Sequence, residues 1–353
     1  MIKRTIIFCA LILLSCIAKP QNAPVTHIGE FYNQIPGEIT VPVTVEGFSN
    51  VGVISLSLDY DPAVLTFLEG TLNPSLSGMG AVNNTILPSG MHRIIIGWFG
   101  NGLTLPDGST LIGLHFNFLG GTTELTWFDD GSSCEYGDAA YNALNDFPYA
   151  CYYSNGIITT AKRLNLTLLL EGFYNSATQR MNSPLGFSSG PCTDGIADNM
   201  LVELRSGSDY SEIIFASDNS PLSMQGQSGI LVPADLNGNY YITVRHRNSI
   251  ATVSASPVSF AESEISYDFT THASKAYGNN MKQMADGRWA FFGGDVNQDG
   301  VVDTADMSPA DNDAGTFASG YLATDVNGDN ITDTADMSII DNNASVFTGS
   351  ITP

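Results

Sequence analysis

Short runs of alternating apolar and polar residues dominate the first part of the chain. In residues 39–46 every second residue is Ile or Val, and in residues 114–118 Leu, Phe and Phe alternate with His and Asn. Gly, Pro and Asn interrupt these runs at short intervals. Alternation of period two with frequent turns is typical of half-buried antiparallel strands. The pattern therefore predicts a β-sandwich over residues 24–161.

A second β-rich segment follows over residues 162–290. Its first alternating run starts at Leu164, and Asn237-Gly238 before Tyr240 is the signal of a tight hairpin turn. Further strands are predicted at residues 200–204, 212–216, 229–232, 240–247, 251–256 and 265–269. This number of short strands favours an immunoglobulin-like or transthyretin-like sandwich. The fold class is therefore mainly β, and the pattern indicates no function for this second sandwich.

Several motifs of the first segment match one known domain. They are residues 36–43 (PGEITVPV), residues 56–62 (LSLDYDP), Trp98, Gly108 and the closing residues 155–158 (NGII). In these motifs the segment resembles the cohesin domain. The resemblance implies a nine-stranded jelly-roll sandwich that binds a protein partner. It departs from the family in residues 129–148, which read as an insertion before the last strand.

The same jelly roll is shared with carbohydrate-binding modules, so an alternative function stays open: polysaccharide binding by one or both sandwiches, with the C-terminal segment as a tether. A sugar platform needs a row of exposed aromatic side chains. The candidates in the first segment are Trp98, Trp127, Tyr136, Tyr141, Tyr149, Tyr152 and Tyr153.

The strongest motif is an internal duplication near the C-terminus. Residues 295–314 and 325–344 are identical at 13 of 20 positions. In both copies Asp, Asn, Asp, Asp and Asp occupy positions 1, 3, 5, 9 and 12 of a twelve-residue loop. Ca²⁺ takes six to eight oxygen ligands, which a loop of this length supplies. The spacing predicts two calcium ions, with Gly300 and Asn330 at the sharp bend in position 6.

Each predicted calcium site uses carboxylate and amide oxygens together with one backbone carbonyl. The ninth-position Asp acts directly or through water. The first set is Asp295, Asn297, Asp299, the carbonyl of Val301, Asp303 and Asp306. The second is Asp325, Asn327, Asp329, the carbonyl of Ile331, Asp333 and Asp336.

No helical pattern precedes either loop, and position 12 is Asp where an EF-hand has Glu. An acidic loop followed by a predicted helix occurs twice in residues 291–353. In this arrangement the segment resembles the dockerin domain. The resemblance implies that a cohesin would contact positions 10 and 11, which are Thr304, Ala305, Thr334 and Ala335. The two Thr are predicted to cap the helices, and Pro309 is predicted to kink or end the first one.

The N-terminus predicts export. A basic start precedes an apolar run at residues 6–14, which is typical of a signal peptide over residues 1–18. Residues 13–16 (LLSC) resemble a lipobox that would lipidate Cys16, and ordinary cleavage after Ala18 is the alternative. A lipid anchor would be the protein's only link to a membrane. Cys134 and Cys151 are predicted to form a disulfide in the exported chain.

The formal net charge is −23, from 13 Lys and Arg against 36 Asp and Glu. This charge argues against nucleic-acid binding, because a polyanion is repelled. Of the acids, 11 are Asp in residues 295–353, a stretch without Lys or Arg. No catalytic constellation is visible. We therefore predict a non-catalytic, calcium-binding adaptor at the cell surface or outside the cell, in a cohesin–dockerin type interaction. Polysaccharide degradation is a context that the resemblance suggests.

Overall fold

The computed structural model describes residues 21–77, 79–184, 186 and 195–353. The predicted signal peptide and Cys16 lie outside the described residues. Strands dominate the described chain and helices occur near its C-terminus, which confirms the mainly-β prediction. No helix in the described part of the chain is long and apolar enough to cross a membrane.

Two sheets form the first sandwich. One has the strand order β10-β1-β2-β7-β4 and the other β11-β8-β3-β6-β5, with β9 added beside β3. A short 3₁₀ helix spans Tyr149–Cys151. The strands are β1 Val25–Ile28, β2 Gly37–Glu46, β3 Val51–Tyr60, β4 Leu65–Leu72, β5 Met79–Ile86, β6 His92–Leu103, β7 Ser109–Phe118, β8 Thr122–Trp127, β9 Glu135–Asp138, β10 Tyr153–Ser154 and β11 Gly156–Thr159.

The alternating residues make the core of this sandwich. Val41, Val43 and Val45 of β2 are fully buried, as are Leu56 and Leu58 of β3. They pack between the sheets with the inward residues of β6 and β7. Burial of aliphatic side chains on one face of each strand is the main stabilising contribution in such a sandwich.

The middle segment forms a second sandwich with its own core, which runs from Leu164 to Phe291. One sheet has the order β17-β12-β21, in which β12 and β21 are parallel, and the other has the order β16-β15-β18-β19. Short 3₁₀ helices span Ala273–Lys275 and Tyr277–Asn279. The strands are β12 Lys162–Thr167, β13 Tyr174–Asn175, β14 Arg180–Met181, β15 Ile196–Ser206, β16 Ile213–Ser223, β17 Gln227–Val232, β18 Asn239–His246, β19 Ser249–Val253, β20 Val258–Ser259, β21 Glu264–Asp268, β22 Lys282–Gln283 and β23 Trp289–Ala290.

The C-terminal segment contains two helices, α1 Thr304–Gly315 and α2 Thr334–Ala344, each preceded by an acidic loop. Each loop forms a β-bridge with the segment that follows the other copy's helix. Val301 of the first loop pairs with Gly349 after α2, and Ile331 of the second loop pairs with Ser319 after α1. Their small shared core includes Ile250 of the middle sandwich.

Two local predictions about the helices are wrong. The capping residues are Asp303 and Asp333, not the Thr residues that follow, because each Asp side chain accepts a hydrogen bond from an amide in the first turn. Of the two effects predicted for Pro309, an end of the helix is wrong, because α1 contains Pro309 and continues to Gly315, and a kink stays a prediction.

The predicted disulfide between Cys134 and Cys151 is also wrong. Cys134 is a free, buried thiol. Its Sγ lies 3.2 Å from the carbonyl oxygen of Phe128 and 3.5 Å from that of Ser57, where it fills the core of the first sandwich. Cys151 is disulfide-bonded, and its partner lies outside the described residues.

Candidate functional site

The outer face of the β3–β6–β5 sheet exposes apolar side chains. In β6 the residues Ile94, Ile96 and Trp98 point into the core, so Ile95 and Phe99 point outward. Ile95 is 39% exposed and Phe99 is 48% exposed. Register places Ile95 between Ser57 and Asn83, and Phe99 beside Val53. We call the surface formed by Val53, Ala81, Ile95, Gly97 and Phe99 the outer apolar face.

A shallow depression of about 330 Å³ lies in this face, lined by residues that include Val53, Ala81 and Phe99. Gly97 also lines it, and a Cβ at this position would meet no atom within 4 Å. The depression is therefore open above Gly97, and its lining is mainly apolar, as is common at the core of a protein interface.

A charged pair borders the outer apolar face. Arg93 donates to both carboxylate oxygens of Asp59, at 2.6 and 2.8 Å. The guanidinium also lies 3.4 Å from the ring centroid of Phe128. The hydrogen bond to Asp59 raises the pKa of Arg93. The two hydrogen bonds to the carboxylate and the stacking on the ring hold the Arg93 side chain in place. The outer apolar face therefore has a rigid polar rim at one end.

The aromatic residues proposed for a sugar platform do not form an exposed row. Trp98, Trp127, Tyr136 and Tyr153 are buried in the core, and Tyr149 and Tyr152 pack against it. Among the seven candidates, Tyr141 is exposed. The other six side chains stabilise the fold by packing.

The two acidic loops have the backbone that their sequence predicts. Gly300 and Asn330, both in position 6, have positive φ angles of 90° and 72°. The Asp at position 12 is fully buried in each loop, and its carboxylate binds backbone amides. Asp306 accepts from Asn297 N at 3.0 Å and Asp303 N at 2.9 Å.

The first-position carboxylates are buried without matching positive charge inside their loops. Burial and the nearby carboxylates of Asp306 and Asp299 raise the pKa of Asp295 to about 6. Its Oδ1 is buried and makes no hydrogen bond. Burial likewise raises the pKa of Asp325 to about 6. A buried carboxylate in this state is stabilised by a bound cation.

In the described part of the chain, no three Asp, Glu, His or Cys side chains converge as a ready-made metal site. The carboxylates of Asp303 and Asp306 accept hydrogen bonds from backbone amides in the loop and at the start of the helix. The predicted ligand sets also include an Asn side chain and a backbone carbonyl. The remaining candidate ligand atoms are all oxygens, and they include Asp295 Oδ1, which makes no hydrogen bond. Oxygen ligands fit a hard cation such as Ca²⁺.

The predicted partner residues Thr304, Ala305, Thr334 and Ala335 are all exposed at the first turns of the helices. Two aromatic residues at the opposite helix ends were not among the predicted partner residues. Phe317 is 86% exposed and Phe347 is 91% exposed, in equivalent places of the two copies. The sequence does contain a signal for this pair, because the two Phe residues are separated by the thirty-residue length of the repeat.

No protein-family model matches the chain, and no curated protein does. Solved structures do match, over about two-fifths of the chain. A non-cellulosomal cohesin from Archaeoglobus fulgidus is 25% identical, covering 38% of this chain and 88% of its own, with a TM-score of 0.29. CaCohA2 from Clostridium acetobutylicum is 24% identical, covering 40% of this chain and 92% of its own, with a TM-score of 0.32.

The sixth cohesin of scaffoldin B from Acetivibrio cellulolyticus, solved in complex with a dockerin, also matches. It is 15% identical and covers 39% of this chain and 99% of its own, with a TM-score of 0.31. These TM-scores are all low, so the similarity alone decides neither the partner nor the function of this chain.

Proposed function

We propose that this protein is a non-catalytic, calcium-binding adaptor with a protein-docking face at each end. The first sandwich would bind a dockerin-type partner through the outer apolar face, and the C-terminal segment would present α1 and α2 to a cohesin-type partner. The apolar run and basic start at the N-terminus support a place outside the cell or on its surface.

The exposed apolar surface around Gly97 supports this proposal best. Ile95 and Phe99 are large apolar side chains that remain exposed on a sheet whose inner face is fully packed. Such clusters on a soluble sandwich mark an interaction surface. The fixed Arg93–Asp59 pair beside them supplies a polar rim, which is the usual arrangement at protein interfaces.

The acidic loops support the calcium half of the proposal. Asp295, Asn297, Asp299 and the carbonyl of Val301 would hold one ion, and the equivalent residues of the second copy the other. Ca²⁺ would supply positive charge to the buried carboxylate of Asp295 and would add to the charge of Arg247 beside that of Asp325. An ion that binds only the folded loops would stabilise them.

Binding of the full chain to a panel of purified dockerin modules, measured by biolayer interferometry, tests the docking face. We expect at least one module to bind, and Ile95→Asp to weaken that binding. The matched control is Leu68→Asp, since Leu68 is 49% exposed on the opposite sheet. Binding that both variants reduce equally, or no binding by any module, would contradict the proposal.

A further inference from the structure

The middle sandwich contacts three consecutive backbone carbonyls of the second acidic loop. Asn248 Nδ2 donates to the carbonyl of Asp325 at 2.8 Å, and Asn182 Nδ2 donates to that of Asn327 at 2.9 Å. Between them, a Cβ on Gly172 would lie 2.1 Å from the carbonyl oxygen of Val326. Only glycine at position 172 allows this approach.

These carbonyls belong to positions 1, 2 and 3 of the loop. The side chains at positions 1 and 3, Asp325 and Asn327, are predicted ligands. These contacts hold the backbone on both sides of Val326, and they therefore hold the backbone positions of the predicted ligands Asp325 and Asn327. Because Asn248 is buried, its hydrogen bond is shielded from water.

Arg247 adds charge to the same contact. Its Nη2 lies 3.9 Å from Oδ2 of Asp325, and its Nη1 donates to the carbonyl of Leu322. The guanidinium also stacks over the rings of Phe173 and Tyr321. This cation offsets the buried Asp325 carboxylate when no other cation is present.

The first loop has a different environment at the same positions. The carbonyl of Asp295 accepts its hydrogen bond from Gln298 of the same loop, at 2.6 Å. Gln298 reaches the middle sandwich at Ser249 O only at 3.5 Å. No salt bridge to Asp295 occurs among the described residues, whereas Asp325 has Arg247. The two loops therefore have similar sequences but differ in the contacts that the middle sandwich makes with them.

We propose that the middle sandwich holds the second loop in its ion-binding shape before an ion arrives, whereas the first loop depends on the ion for its shape. Asn182, Asn248 and Gly172 are the positioning residues. This inference rests on the calcium binding proposed above. It makes the middle sandwich a structural support for one of two otherwise similar sites.

Hydrogen–deuterium exchange of the full chain in chelator tests the shape of the loops without any ion. We expect amides of residues 325–336 to exchange more slowly than those of residues 295–306, and Asn182→Ala to speed exchange in the second loop alone. Asn182 is exposed, so this variant keeps its fold. Equal exchange in the two loops would overturn the inference.

Calcium titration in single-loop backgrounds tests affinity. Asp299→Ala leaves the second loop as the ion site, and Asp329→Ala leaves the first. Adding Asn182→Ala is expected to weaken the second site about three- to tenfold, the effect of one lost hydrogen bond, and to leave the first site unchanged. The matched control is Asn73→Ala, because Asn73 also donates to a carbonyl, Thr110 O at 2.7 Å, in the first sandwich.

The outcomes separate the two proposals. If both single-loop backgrounds bind calcium and Asn182→Ala changes neither, the supporting role of the sandwich is wrong and calcium binding stands. If the unmodified chain binds no calcium, the calcium half of the proposed function is wrong and the inference falls with it, whatever the exchange rates. Gly172→Ala, which displaces the Val326 carbonyl, is the second variant and is expected to act in the same direction with a larger effect.

Discussion

Tyr321 of the C-terminal segment donates a hydrogen bond of 2.6 Å to Oδ1 of Asp198 in the middle sandwich. The other carboxylate oxygen, Oδ2, lies 3.0 Å from both His246 Nε2 and Arg247 Nε. Burial alone would raise the pKa of Asp198, but the hydrogen bond and charge of His246, followed by Tyr321 and Arg247, lower it to about 2. This buried carboxylate therefore joins the two segments.

Acid should weaken this junction. The pKa of Asp198 is lower in the folded protein than the unfolded value of about 3.9, so its contribution is complete above that value and is lost as the pH falls toward 2. The loss amounts to about 2–3 kcal/mol in the free energy of unfolding. Denaturant unfolding at a series of pH values measures it.

The control for this prediction is Asp198→Asn. The variant should be less stable at neutral pH and should lack that part of the wild-type pH dependence. An unchanged slope between pH 4 and pH 2 in the variant would contradict the assignment.

A second junction depends on Glu171. Its Oε2 accepts from Asn343 Nδ2 at 2.6 Å and from Gly293 N at 3.1 Å, and its Oε1 lies 3.1 Å from Lys282 Nζ. Glu171→Ala leaves the buried Asn343 amide without this partner, so we expect a loss of about 1–3 kcal/mol in the free energy of unfolding. Thermal or denaturant unfolding measures this loss. The exposed Glu262→Ala is the comparison and should change stability little.

A substitution in the outer apolar face should weaken partner binding without lowering the stability of the fold. Phe99→Asp replaces a half-exposed ring, so the variant should unfold at nearly the wild-type denaturant concentration. Its affinity for a dockerin-type partner should fall about tenfold or more, as expected for an aromatic anchor. Calorimetric binding and urea unfolding on the same preparation check both halves. A Phe99→Asp protein that binds as tightly as wild type would remove this face from the account.

Cys134 predicts slow thiol chemistry. Burial raises the pKa of its thiol to about 11, and the thiolate is the reactive form. In native protein this thiol should resist alkylation and should react after unfolding. Peptide mapping by mass spectrometry reads both states, and a peptide that links Cys134 to Cys151 would contradict the structure.

Local patterns predicted the strands and the acidic loops because each depends on residues close in sequence. The bend at Gly300 and Asn330 follows from their place in a twelve-residue repeat. The capping prediction failed by one residue because Asp303 competes with Thr304 for the same amides, and its carboxylate is the stronger acceptor.

The remaining features depend on contacts between distant parts of the chain. Asn248 and Asp325 are 77 residues apart, and no periodicity joins them. Cys134 fills a core position that spacing to Cys151 cannot reveal. The outer apolar face had a signal, since residues 94–96 are three consecutive Ile in a strand, which indicates apolar groups on both faces.

Calcium titration of the full chain by isothermal calorimetry, after chelator treatment and dialysis, counts the ions that the acidic loops bind. We expect two ions per chain, one per acidic loop, with one ion lost in Asp295→Ala and the other in Asp325→Ala. Binding of no calcium, or two ions that persist in both variants, would contradict this expectation.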